Sequence, residues 1–320
     1  MALLVMAGCG GGLQLTVIDA SAQHPSNVAV YFTVDTTDGD PVPNLTAEQF
    51  KIYEDGSPVS ALESKQTILN PEVSATHVTL LLVDMSGSVS ESGDVPVIVQ
   101  SVHGFADRVS KVQKLAVYAF DGSPNMQEVA GWSGDSAAGI DKLTTWKARD
   151  PSTNLNGAIL EGIKLLHTQM RAASTPLSFG TLVVFTDGTD RAHRVTREQL
   201  DKELDTTDID VMVIGVGAEV DASELRAIGR RGAILSKDRA QIATSFERAA
   251  ARVEAFSKRY YLLGYCSPAR AGEHVVRIET TVDGKTGWQE YKFDARGFGP
   301  NCDPTRPPAF SIKRPQPHKT

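Results

Sequence analysis

Between His77 and Asp84 the sequence reads HVTLLLVD, an unbroken apolar and β-favouring run that stops at an acid. A run of this length with no polar face is a strand covered on both sides, the usual strand of a parallel sheet with helices packed above and below it. It is followed by Met85, Ser86, Gly87 and Ser88, so one carboxylate and two hydroxyls gather where the strand ends. Ligands of open α/β sheets bind outside the carboxyl ends of such strands. The rest of the chain is therefore read for whether it builds that sheet.

From Pro71 onward strands and helices alternate. Ile98, Val102, Phe105, Val109 and Val112 mark one amphipathic helix, and Leu155, Ile159, Ile163, Leu166 and Met170 mark another, at helical spacing. KLAVYAFDG and QEVAGW lie close enough to pair as a hairpin. TLVVFTDG repeats the pattern of a buried strand ending in an acid, Asp187. A polar helix around Arg197 to Leu204 leads to DVMVIGVG, and a short one around Glu224 leads to GAILS. The last helix carries Ile242, Phe246, Ala249, Val253 and Phe256 on one stripe. This order predicts an α/β fold, a doubly wound and mostly parallel sheet with one antiparallel edge hairpin. In a sheet of order 3-2-1-4-5-6 the first and fourth strands are neighbours, and Asp84 and Asp187 then open onto one switch-point crevice. The loop Pro151 to Asn154 adds Thr153, directly before a helix.

On either side of this region the period is that of strands. LQLTVIDA, NVAVYFTVD and FKIYEDG precede it; RYYLLGYCSP, EHVVRIETTVDG and WQEYKFDA follow it. Few strands lie in either segment, and a small sheet is marginal alone. The two segments are expected to pair into one flanking β-sandwich, with the α/β region inserted between them. In the C-terminal strands the alternation predicts one solvated face. The expected divisions are 1–12 as signal and tether, 13–75 and 259–302 as the two β segments, 76–258 as the α/β domain, and 303–320 as a disordered proline-rich tail.

A net charge of -7 over 320 residues, with no basic run, argues against nucleic acid or an anionic membrane as partner. Three cysteines, Cys9, Cys266 and Cys302, are too few and too dispersed for a thiolate zinc site. The start, MALLVMAGCGGG, resembles a bacterial lipoprotein signal, in which Cys9 is lipidated. It departs from that pattern in lacking a Lys or Arg n-region and in the shortness of its apolar run. A frayed apolar N-terminus is the alternative. The lipid reading implies a membrane-anchored protein of the bacterial cell envelope, touching the membrane only through Cys9. An exported chain would also oxidise Cys266 and Cys302 to a disulfide, with free buried thiols as the other possibility.

Asp84, Ser86 and Ser88 as D-x-S-x-S, Thr153 before a helix and Asp187 in T-D-G together resemble the von Willebrand factor type A (VWA) family. The resemblance covers roughly residues 76 to 258. It implies a metal-ion-dependent adhesion site, in which these five residues hold Mg2+ or Mn2+ and a partner protein presents Asp or Glu to the ion. The chemistry agrees: carboxylate and hydroxyl oxygens are hard ligands suited to octahedral magnesium or manganese. Asp121, Asp190 and His193 are outer candidates for which a solvated loop is the simpler expectation. Two other classes remain open. A strand ending in Asp also begins the haloacid-dehalogenase phosphatases, but those need a second Asp where Ser86 stands. No G-x-S-x-G, P-loop or H-E-x-x-H sequence occurs, and the expected reading is not an enzyme. A structural envelope protein holding a metal only for stability is the third class.

Overall fold

The structure is a computed structural model, and it describes residues 12–69, 75–132, 137–175, 177–306 and 308–310. Strands β1 Leu13–Gln23, β2 Asn27–Thr36, β3 Phe50–Glu54, β4 Ser57–Val59 and β5 Thr67–Leu69 come first. The alternating stretch follows: β6 Ala75–Asp84, α1 Gly87–Ser90, α2 Val95–Val109, β7 Lys114–Phe120, β8 Gln127–Ala130, α3 Ala137–Ile140, α4 Leu155–Arg171 and β9 Leu177–Thr186. It continues through α5 Arg197–Thr206, β10 Asp210–Val216, α6 Ala222–Ile228, β11 Ala233–Ser236 and α7 Ile242–Lys258. Three strands close the chain, β12 Tyr260–Cys266, β13 Glu273–Val282 and β14 Lys285–Asp294. Among the described residues the chain divides into two compact units, one drawn from the segment that ends at Ala75, Thr175–Leu177 and the segment that begins at Ala255, the other from Thr76–Ser174 and Ser178–Glu254.

The second, α/β unit is built on a six-stranded sheet of order β11-β10-β9-β6-β7-β8. Counted along this unit, that is the 3-2-1-4-5-6 arrangement, with β6 first and β9 fourth. β7 runs parallel to β6, β9 and β11 run parallel to β10, and β8 is the antiparallel edge. β6 is central, and Leu80, Leu81, Leu82 and Val83 have no exposed surface, as a strand covered on both faces requires. Leu80 and Leu82 share a core with Ile159, Ile163 and Leu166 of α4, Leu200 and Leu204 of α5, and Leu225 of α6. On the other face Phe246 of α7 packs on Phe185 of β9, ring centroids 5.0 Å apart, and meets Phe105 of α2 edge-on at 6.5 Å. α2 stops at Val109, a turn before the last residue of its expected apolar stripe, and Val112 lies beyond the helix. Among the described residues no helix is long and apolar enough to cross a membrane.

The first unit is a pair of antiparallel sheets, β1-β2-β12-β5 and β14-β13-β3-β4. Strands from both ends of the chain meet in each, and in the first β12 is inserted between β2 and β5. β12 is paired on one side with β2, Tyr260 opposite Thr33, and on the other with β5. Inward-facing Val28, Val30 and Phe32 of β2, Leu263 and Tyr265 of β12, Ile52 of β3 and Ile278 of β13 fill the space between the sheets. Cys266 and Cys302 are joined by a disulfide.

Two expectations are corrected in this unit. β12 is buried on both faces from Tyr260 to Tyr265 rather than solvated on one. Nor does order end at Cys302: Asp303 donates its N–H to Asn27 Oδ1 at 3.1 Å, Pro304 is buried, and the Phe310 ring lies 6.1 Å from that of Tyr31. The reason is the same for both. A Cβ on Gly264 of β12 would meet the Pro304 carbonyl oxygen at 2.7 Å, so the segment after the disulfide lies against the central strand. Residues 311–320 and the Cys9 region are outside the described residues.

Candidate functional site

The site forms where β6 and β9 end side by side. Asp84 is the last residue of β6, and its side chain is wholly buried. Its Oδ1 accepts the Ser86 N–H at 2.9 Å, a tight turn that sets the direction of the following loop. Its Oδ2 accepts the Thr186 hydroxyl at 2.7 Å. Ser86 stands at the N-terminal end of the single turn α1 without a capping bond from its side chain, and its Oγ lies 3.4 Å from Ser88 Oγ. Ser88 donates its hydroxyl to Asp187 Oδ1 at 2.9 Å. A continuous chain of polar contacts thus runs from Asp187 through Ser88 to Ser86, while Asp84 holds the Ser86 backbone.

Thr153 is buried on the loop that leads into α4 and lies between these two strand ends. On one side the Gly87 N–H donates to Pro151 O at 3.0 Å. Only glycine fits there, because a Cβ would stand 2.9 Å from Pro151 Cβ. On the other side Thr153 O accepts the N–H groups of Arg191 and Ala192 at 2.9 and 3.0 Å. The three loops bearing Ser86 and Ser88, Thr153, and Asp187 are therefore tied together by backbone bonds, and four of the five expected side chains belong to a hydrogen-bonded cluster.

Burial dominates the electrostatics. Desolvation pushes the Asp84 carboxyl up to about 6, against the hydrogen bonds from Thr186 and Ser86 that favour its charged form. Asp187 is also raised, again chiefly by desolvation, opposed by the Ser88 hydroxyl and the Arg239 guanidinium. Arg239 Nη2 donates to Asp187 Oδ2 at 2.8 Å, and its Nη1 donates to Asp94 Oδ2 at 2.7 Å.

Asp121 and Asp190 depart from the solvated-loop expectation. Asp121 is buried at the end of β7 and accepts the N–H groups of Ser123 and Arg149 at 2.7 and 2.8 Å. Asp190 accepts the Asn156 N–H at 3.0 Å in the first turn of α4, where a carboxylate satisfies a free donor and complements the helix dipole. Both acids brace loops around Thr153. His193 is exposed, with its N–H on Asp190 Oδ2 at 3.0 Å. Thr186 was visible only as the first letter of T-D-G, and Asp94 and Arg239 went unnoticed in the sequence. A threonine closing the aliphatic run LVVF was the visible signal for the first; nothing marked the other two.

The donor set is two carboxylates and three hydroxyls, all hard oxygens. No group of three or more His, Cys, Asp and Glu side chains among the described residues is arranged to hold a metal. A hard divalent cation fits what is present: it would relieve the cost of keeping Asp84 charged while wholly buried.

No known family model and no curated protein matches the chain. Solved structures similar to it include the von Willebrand factor type A protein of Catenulispora acidiphila, 13% identical over 92% of this chain and 76% of that one, TM-score 0.45. The ArnB paralog VWA2 of Sulfolobus acidocaldarius is 13% identical over 89% and 76%, TM-score 0.42. The manganese-loaded TRAP protein of Plasmodium vivax is 13% identical over 78% and 99%, TM-score 0.46. At such values the assignment of the fold rests on the strand order and helix placement described above.

Proposed function

We propose that the chain is a VWA-type protein-interaction module in which Asp84, Ser86, Ser88, Thr153 and Asp187 hold Mg2+ or Mn2+. The observation that carries this reading is the cluster itself, with hard oxygens from two adjacent strand ends joined by hydrogen bonds at the switch point of the sheet. If one or both acids act through water, the ion keeps positive charge and an open position, which the carboxylate of a partner protein would fill. Ser86 and Ser88 orient the donors, Asp84 fixes the loop through the Ser86 N–H, and Thr186 holds the remaining oxygen of Asp84.

The same geometry disfavours a phosphatase. Both oxygens of Asp84 accept hydrogen bonds and its side chain is wholly buried, which suits a ligand-holding acid better than an exposed nucleophile. The resemblance of the Cys9 region to a lipoprotein signal, together with the Cys266–Cys302 disulfide, supports a place in an oxidising envelope compartment.

Calorimetric titration of Mg2+ and Mn2+ into the wild type, Ser86→Ala and Asp84→Asn tests the site. Binding in the wild type and a loss of about 100-fold or more in Asp84→Asn are expected, since an anionic ligand is removed. Absence of heat at millimolar metal in the wild type would sink the reading. Turnover of a phosphatase substrate panel, abolished in Asp84→Asn, would replace it with the enzyme class. If metal binds, capture of a partner from envelope extract should fail in chelator; a metal held only for stability would raise Tm without any such capture.

A further inference from the structure

Arg239 stands on the 3-10 turn Arg239–Gln241 just ahead of α7, far along the chain from every residue of the candidate site. Its guanidinium nevertheless bridges two acids from two other elements, with Nη2 on Asp187 and Nη1 on Asp94 at the start of α2. The three partners differ in exposure. Asp187 is 6% exposed, whereas the Arg239 side chain is 41% exposed. One end of the contact is therefore desolvated and fixed by Ser88, and the other is carried on a long side chain that water already reaches.

The charge balance follows directly. Asp84 and Asp187 present two negative charges to a cation; Arg239 sets one positive charge directly against Asp187, while the acid that balances it, Asp94, lies on the far side of the guanidinium. Asp187 offers Oδ1 to Ser88 and Oδ2 to Arg239, so both of its oxygens are engaged. An incoming dication must share Asp187 with a fixed positive charge or dislodge it. Nothing else is needed for Arg239 to oppose loading, because Coulomb repulsion between the two cations acts across a partly desolvated carboxylate.

We propose that Arg239 is a built-in counter-cation of Asp187, which competes with the divalent ion and thereby sets how readily the site loads. The inference rests on the metal-binding reading of the site. Asp94 is the second half of the device: it anchors the guanidinium beside Asp187. The site is thus tuned by an arginine that supplies no ligand.

Titration of Mn2+ into the full chain, with Arg239→Gln, Arg239→Lys and Asp94→Asn beside the wild type, tests this. Arg239→Gln removes the charge and should bind Mn2+ about tenfold more tightly or better. Arg239→Lys keeps the charge and should stay close to the wild type. Asp94→Asn keeps the arginine but loosens its anchor, and should fall between them. Thermal denaturation gives a second readout: in chelator Arg239→Gln should melt below the wild type, and saturating Mn2+ should raise its Tm by more. Equal or weaker Mn2+ binding by Arg239→Gln, while the wild type binds, overturns the competition and leaves the metal site standing. Absence of binding in all four proteins removes the metal site and the competition together.

Discussion

In the β unit, Asp35 accepts Arg259 Nη1 at 2.8 Å, with both side chains largely buried, and Glu54 accepts the Tyr265 hydroxyl at 2.8 Å inside the core. In the α/β unit, Asp84 and Asp187 are buried as well, but their partners are small hydroxyls, one backbone N–H and a single arginine that reaches in from the surface. The first arrangement compensates its acids with large side chains packed into or against the structure and has no reason to change. The second holds its acids by groups that can turn toward another ligand. Burial of a carboxylate is thus common to both units; what separates scaffold from candidate site is whether the compensation is permanent.

This contrast can be attacked in three ways. Removing the disulfide by Cys266→Ala and Cys302→Ala should cost the β unit about 4 kcal/mol, because a loop of this length gains that much entropy in the unfolded chain. Denaturant melts should show that loss while Mn2+ affinity stays unchanged. A simultaneous loss of metal binding would mean that the metal site depends on the integrity of the β unit.

The second concerns pH. The Asp84 pKa is raised from 3.8 to about 6 on folding, so its contribution to stability is fully present below the unfolded value and is lost as pH rises through about 6. In chelator, the wild type should therefore lose about 2 kcal/mol relative to Asp84→Asn between pH 4 and 7, and saturating Mn2+ should restore most of it. A wild type and variant with parallel pH profiles would show that Asp84 is already compensated, as the acids of the β unit are.

The smallest effect is expected from Tyr265→Phe. It leaves Glu54 buried without its phenolic donor and should cost about 1–3 kcal/mol at neutral pH, measured by urea unfolding. Tyr265 is itself held well above its ordinary pKa, first by burial and then by the nearby Glu54 charge, so the phenol stays protonated and donating throughout that range. A neutral outcome would make Glu54 as adaptable as Asp187 and erase the distinction.

The α/β architecture was legible because HVTLLLVD and TLVVFTDG leave no polar face to expose, and because each amphipathic helix between them must cover a sheet. The interleaved sandwich was legible in outline, since neither β segment can close a core by itself. β5 escaped this reading: three residues, TIL, carry no period, and only pairing with Leu262 to Gly264 makes them a strand. The covering of β12 by Pro304 was hidden by a composition typical of a disordered tail. At the site, spacing exposed Asp84, Ser86, Ser88, Thr153 and Asp187 as candidates because they stand in adjacent letters, at strand ends or directly before a helix. Asp121 and Asp190 looked like turn acids because a sequence records position and not burial. Arg239 stands 52 residues beyond Asp187 in an ordinary charged stretch, and only the folded chain brings them to 2.8 Å.

The interleaving of the β unit also fixes an order of events at the ribosome. Thr33 of β2 pairs with Tyr260 of β12, and the whole α/β unit is synthesised between them. At about 5–20 residues per second, β2 waits on the order of ten seconds or longer for its neighbour. Throughout that interval one edge of a strand buried on nearly every residue stands open, a template for mispairing with another nascent chain. The α/β unit has all of its strands in hand before β12 emerges and can close first. The cell must therefore shield the N-terminal hairpin, or carry the chain unfolded, until the last strands arrive.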